Sequence, residues 1–143
     1  EALRREFTDT CGIYIGYSDD LAHKIYAGCD FFLMPSRYEP CGLNQMYSML
    51  YGTLPIVRRT GGLADTVEQY NESTGDGTGF LFDQLTPGAI FDTVGWAVYA
   101  YYNKKDHIKA MQKRGMKKDF SWDLSIEGYL KVYEEALARG CGR

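Results

Sequence analysis

The chain has 143 residues, 45% of them apolar, and a formal net charge of -3. That suffices for one packed domain or a fragment of one. The charge argues against a general nucleic-acid binder, and no apolar run approaches the roughly 20 residues that span a bilayer.

The chain opens in a helix-like stretch, Glu1 to Phe7, with no start methionine and no secretory leader pattern, as expected of a piece of a longer protein. Gly12-Ile13-Tyr14-Ile15-Gly16 reads as a strand, β-branched and aromatic between glycines. Asp19 to Ala27 reads as a helix capped by Ser18 or Asp19. Asp30 to Met34 is almost wholly apolar, as in a strand buried on both faces. Leu43, Met46, Tyr47, Leu50 and Tyr51 follow the spacing of a core-facing helical stripe. Leu54 to Val57 is the next strand. This alternation predicts an α/β fold, a Rossmann-like parallel sheet with flanking helices.

Tyr70 to Gly79 is a polar, glycine-rich loop, and Phe80-Leu81-Phe82 a short strand. Thr86-Pro87 opens a helix, with Thr86 as cap and Pro87 at its first position. Phe91, Val94, Val98 and Tyr101 mark its expected buried face. A basic helix is predicted over 105–117 and a last helix over 124–138, with Ile126, Tyr129, Leu130, Tyr133 and Leu137 on one face. No internal repeat or low-complexity linker interrupts the chain.

The chemistry concentrates at Glu39-Pro40-Cys41-Gly42-Leu43, where a strand should hand over to a helix. Pro40 stiffens the approach, and Gly42 admits a ligand close to the backbone. The amides of a helix's first turn attract anions, so a phosphate fits there. Glu39 would repel a phosphate but accept several hydrogen bonds from sugar hydroxyls. A sugar joined to a phosphate suits the pair. An ordinary βα loop, with Glu39 merely favouring a helix dipole, fits the spacing equally well.

The segment from Tyr14 to Tyr133 resembles the C-terminal half of bacterial-type glycogen synthases and plant starch synthases. The resemblance is carried by Gly16-Tyr17-Ser18, His23-Lys24, Pro35-Ser36-Arg37-Tyr38-Glu39-Pro40-Cys41-Gly42-Leu43, Tyr51-Gly52-Thr53-Leu54-Pro55 and Arg58-Arg59-Thr60-Gly61-Gly62-Leu63-Ala64-Asp65-Thr66-Val67. Gly77-Thr78-Gly79-Phe80 and Asp119-Phe120-Ser121-Trp122 extend it. It implies the C-terminal half of a GT-B fold, with residues 1–143 a partial nucleotide-sugar-binding domain lacking its own beginning and the N-terminal lobe. The implied reaction is transfer of glucose from ADP-glucose to the non-reducing end of an α-1,4-glucan. It proceeds with retention and needs neither metal nor cofactor.

By this resemblance Glu39 binds the donor glucose hydroxyls and helps position an oxocarbenium-like sugar. The amides of Cys41, Gly42 and Leu43 hold glucose and the distal phosphate, and the ring of Tyr17 stacks on adenine. Tyr47 stands where related enzymes carry a second glutamate, eight residues after Glu39. The family's Arg-x(4)-Lys phosphate clamp and Lys-x-Gly-Gly loop lie upstream of Glu1. Two alternatives remain at this stage: a GT-B transferase using a UDP-sugar, and a non-catalytic nucleotide- or glucan-binding module.

The remaining features read more plainly. Cys11, Cys29, Cys41 and Cys141 lack C-x-x-C spacing and read as reduced thiols in a cytoplasmic protein. His23 is expected to be buried or capping, and His107 to be on the surface. Two distant histidines and no Cys/His cluster give no support to a zinc site. Lys104, Lys105, Lys109, Lys113, Arg114, Lys117 and Lys118 read as a solvated helix face, and Gly75 to Gly79 as a turn. Arg58 and Arg59 suit either ion pairs within the fold or a ligand. The expected partners are ADP-glucose, an α-1,4-glucan and the missing N-terminal lobe, with no nucleic acid and no membrane. The apolar face of the last helix should fold against its own lobe or mediate self-association.

Overall fold

The computed structural model describes residues 2–140, so Cys141 lies outside the described residues. In chain order the elements are α1 (Ala2–Glu6), α2 (Asp19–Gly28), β1 (Phe31–Met34), α3 (Asn44–Leu50), β2 (Leu54–Arg58), α4 (Gly61–Thr66), β3 (Phe80–Phe82), α5 (Pro87–Asn103), α6 (Lys105–Lys117) and α7 (Trp122–Gly140). The sheet is parallel, in the order β1-β2-β3. Phe31 pairs with Leu54 and Met34 with Val57, and Ile56 pairs with Phe80. The α/β architecture with flanking helices is the one predicted.

Side-chain alternation along the strands divides the core. Leu54, Ile56, Phe80 and Phe82 point to one face, against Tyr70, Ala97, Ala100, Ile108 and Met111. Val57, Leu81 and Met34 point to the other, against Met49, Leu63 and Val67. Caps fall where expected: Ser18 Oγ accepts from the Leu21 amide at 3.2 Å and Thr86 Oγ1 from the Ala89 amide at 3.2 Å. No helix among the described residues is long and apolar enough to cross a membrane.

Several expectations fail, each for a physical reason. Ile13-Tyr14-Ile15 belongs to no strand, because nothing among the described residues pairs with it; Ile15 is 87% exposed. Among the described residues β1 pairs only with β2; Phe31 packs on one core cluster and Phe32 and Met34 on the other, as expected, but Leu33 is exposed, so the cover is incomplete on one face. The stripe on α3 does not face the core. Leu43, Tyr47, Leu50 and Tyr51 are exposed, while Gln45, Ser48 and Met49 are buried. On α5 the fully buried positions are Thr93, Ala97 and Ala100, small residues that let the helix approach the sheet; of the expected face Val94 and Tyr101 pack against the core half-buried, while Phe91 and Val98 are exposed. α7 does not fold against the lobe and carries no buried residue.

His107 is not a free surface residue. Its Nδ1 lies 2.9 Å from the hydroxyl of buried Tyr70. A Cβ on Gly75 would come within 2.8 Å of the His107 ring, so only glycine fits beneath it. Arg114 leaves the solvated face too. Its Nε donates to the Gly77 carbonyl at 3.0 Å, and a second nitrogen donates to that of Gly75. The Tyr70–Gly79 loop is thus a turn, as predicted, and α6 fastens it.

Candidate functional site

All three strands end at the same edge of the sheet, the edge where open α/β folds bind ligands. From that edge rise the loop 35–43 after β1, Arg59-Thr60 after β2 and Asp83-Gln84-Leu85-Thr86 after β3. Arg58 ties the first to the third, donating from Nη1 to the Arg37 carbonyl at 2.5 Å and from Nε to the Asp83 carbonyl at 3.3 Å. Arg59 pairs with the Asp83 carboxylate at 2.9 Å. Of the two readings for these arginines, Arg59 takes the ion pair, and Arg58 binds backbone carbonyls.

The Glu39–Gly42 backbone rests directly on the start of α4. The Gly62 amide is 3.2 Å from the carbonyls of both Glu39 and Pro40. A Cβ on Gly61 would stand 2.0 Å from the Glu39 oxygen, and one on Gly62 2.0 Å from the Cys41 oxygen. The paired glycines are therefore what allows the loop to lie this close. Gly42 itself has φ +74°, a left-handed conformation costly for residues with a Cβ.

Gln45 secures the loop from below. Its side chain is fully buried, and Nε2 lies 3.1 Å from the Cys41 carbonyl, 2.8 Å from that of Gly42 and 3.1 Å from Thr66 Oγ1. Thr66 in turn donates to the Gly62 carbonyl at 2.6 Å. Gln45 Oε1 is buried with no hydrogen-bond partner. Turning the amide over would aim that oxygen at two carbonyls, so the network fixes the orientation. A buried unpaired acceptor costs about 1–3 kcal/mol.

Among the described residues the amides of Cys41, Gly42, Leu43 and Asn44 donate to no backbone or side-chain acceptor, and the half-buried Glu39 carboxylate accepts no hydrogen bond. Together they offer donors for an anion and acceptors for hydroxyls.

Tyr17 is 92% exposed and lines a hollow of about 390 Å³ with His23, Leu43, Asn44 and Tyr47. The structure thus brings Tyr17 and Leu43 to one hollow, while Glu39, Cys41, Gly42 and Leu43 share the loop; Glu39 does not line that hollow. His23 is neither buried nor a cap. It is half-exposed, with Nδ1 3.3 Å from the Tyr51 hydroxyl and its ring 5.7 Å from that of Tyr47. Among the described residues no group of three or more His, Cys, Asp or Glu could hold a metal. Sequence reasoning missed Gln45, Arg58's bracing role and the seat at Gly61-Gly62. The visible signals were a glutamine just after Cys-Gly-Leu and a glycine pair just after a strand.

The chain is 69% identical over 126 residues to the glycogen synthase of Treponema denticola, covering 88% of this chain and 26% of that protein. It is 50% identical over 140 residues to glycogen synthase 1 of Geobacter metallireducens, covering 98% and 28%. The chain therefore spans little more than a quarter of the length of these relatives. Among solved structures, the catalytic domain of starch synthase IV from Arabidopsis thaliana, bound to ADP and acarbose, aligns with a TM-score of 0.82 at 31% identity, over 96% of this chain and 29% of that one. The sucrose-phosphate synthase of Thermosynechococcus elongatus shares the fold, with a TM-score of 0.65 at 20% identity, over 96% of this chain and 33% of its own. Residues 1–116 match the family described as glycosyl transferases group 1, and the chain belongs to that family.

Proposed function

We propose that this chain is the donor-side, C-terminal part of a two-lobed GT-B glucosyltransferase that transfers glucose from ADP-glucose to the non-reducing end of an α-1,4-glucan, with retention. The observation that carries this reading is the Glu39–Gly42 loop. Its carbonyls are tied back, its amides are unclaimed, and a carboxylate without a partner stands beside them. The relatives described as glycogen synthases and the starch synthase described as bound to ADP support it.

On this reading the amides of Cys41, Gly42 and Leu43 hold the glucose and its distal phosphate. Glu39 accepts from the glucose hydroxyls. Its charge gains value as the sugar becomes cationic, since only interactions stronger in the transition state speed the chemical step. Tyr47, in the place of a second glutamate, leaves no paired carboxylate, so the chemistry relies on the donor phosphate and on Glu39. Tyr17 holds the adenine from the rim of its hollow. On this reading the protein works in the cytoplasm.

The test is to titrate the full-length protein with ADP-glucose and UDP-glucose in the presence of glucan. Faster turnover of ADP-glucose supports the assignment. A clear UDP-glucose preference overturns the donor, and binding of either donor without transfer of its glucose to the glucan overturns the enzyme reading.

Two further outcomes are expected. Residues 1–143 alone elongate no glucan, because the acceptor is no longer positioned, and positioning supplies roughly 7–11 kcal/mol of barrier lowering. In the full-length protein Tyr17→Ala raises KM for the donor more than it lowers kcat, because stacking far from the reacting bond is nearly the same in ground and transition states. Steady-state kinetics with the donor varied reads both parameters.

A further inference from the structure

No cis peptide bond is present among the described residues. In a trans peptide the carbonyl and the following N–H point in opposite directions. Holding one holds the other. The Pro40 carbonyl, which accepts from the Gly62 amide, thereby sets the direction of the Cys41 N–H. The Cys41 and Gly42 carbonyls, both on Gln45 Nε2, set those of Gly42 and Leu43. We propose that Gln45 is a positioning residue for the donor phosphate: its buried carboxamide draws two carbonyls inward and so turns the Gly42 and Leu43 amides out towards the ligand. This rests on the functional reading above.

A second observation supports the assignment. Gln45 reaches three acceptors with one NH₂ group that has two protons, and leaves its own oxygen buried and unpaired. A side chain retained for stability alone would be poorly served by that arrangement. The same arrangement suits a residue whose task is to orient carbonyls. Among the described residues the only other anchor of these peptide planes is the Gly62 amide, which reaches Glu39 and Pro40 but neither Cys41 nor Gly42.

The test uses two variants of the full-length protein, read by steady-state kinetics and by calorimetric titration with ADP. Gln45→Met keeps the length and removes the donor. Its kcat falls on the order of 10²-fold, the scale of a misplaced reacting group, and ADP binds about tenfold more weakly, or about 1.4 kcal/mol. Gln45→Glu keeps the shape and makes the donor depend on protonation. The ionised carboxylate has no proton to give the two carbonyls, and those carbonyls favour its neutral form. Its kcat relative to wild type therefore rises as pH falls from about 8 to about 5.5, through the range of a raised carboxyl pKa.

Unchanged kcat and ADP affinity per folded molecule in both variants would overturn the proposal. So would a Gln45→Glu profile parallel to wild type at every pH. If Gln45→Met fails to fold, the pH comparison within Gln45→Glu decides. If the wild type binds ADP yet transfers no glucose, the functional reading fails on its own, and the ADP affinities of the variants still decide the role of Gln45.

Discussion

Glu39→Gln in the full-length protein lowers kcat by about 10²–10³-fold, the usual cost of removing one electrostatic stabiliser, and changes KM for the donor far less. The substitution keeps the size of the side chain and its capacity to meet a sugar hydroxyl. It removes only the negative charge. In the ground state a neutral glucose hardly registers that loss. As the bond to phosphate lengthens, positive charge grows on the sugar ring, and the missing carboxylate is then felt most. The half-buried setting of Glu39 sharpens the effect, since water there screens less than it does at an open surface. Single-turnover measurement with saturating donor isolates the chemical step. A change confined to KM would make Glu39 a binding residue and nothing more.

Gly62→Ala is expected to damage both folding and activity. The added methyl would lie 2.0 Å from the Cys41 oxygen and 2.6 Å from the Cys41 Cα. Both are backbone atoms, so no rotamer change relieves the clash, and the loop or α4 must move by about 1.5 Å to reach ordinary contact. Overpacking of this kind costs about 1–3 kcal/mol or more. A shift of about 1 Å in a positioning loop removes about 10²-fold in rate. Urea unfolding checks the first effect, and kcat on the folded fraction checks the second. Gly95→Ala is the matched control: its Cβ meets nothing within 4 Å, and it lies inside α5. It should stabilise the chain by about 0.5–1 kcal/mol, as expected where alanine replaces glycine in a helix.

The sheet was legible because short apolar runs between polar loops leave few alternatives. β1, β2, β3 and the helices α2, α6 and α7 begin and end within a residue or two of their predicted bounds, and α5 begins at the predicted Pro87. The direction in which a helix faces was harder to read. Periodicity shows that Leu43, Met46, Tyr47 and Leu50 share a side, but not that Gln45 and Ser48 lie beneath it. Gln45 is inward because the loop above it presents carbonyls that need a donor, a demand set by tertiary geometry. Ile13-Tyr14-Ile15 has the composition of a strand, but a strand exists only with a neighbour to bond. For the site, the chemistry of Glu39 and Gly42 could be read from residue types. The glycine seat at Gly61-Gly62 could not, because it lies some twenty residues away in sequence and becomes meaningful only when two loops meet.

The exposure of α7 along its whole length gives the chain two regimes of cooperativity. β1 to α6 share buried side chains and should melt as a unit, whereas α7 buries none among the described residues and meets that unit only along its first turns, where Trp122, Leu124 and Tyr129 border a shallow hollow with Leu43 and Met46. A solitary helix of this length is marginal in water. Its amides should exchange with solvent at rates set by local fraying, orders of magnitude ahead of those in β2. A single melting temperature would then describe the sheet and the helices packed on it. The far-UV signal of α7 would follow a broad, non-cooperative slope of its own, and calorimetric and spectroscopic unfolding curves of this chain should fail to superimpose.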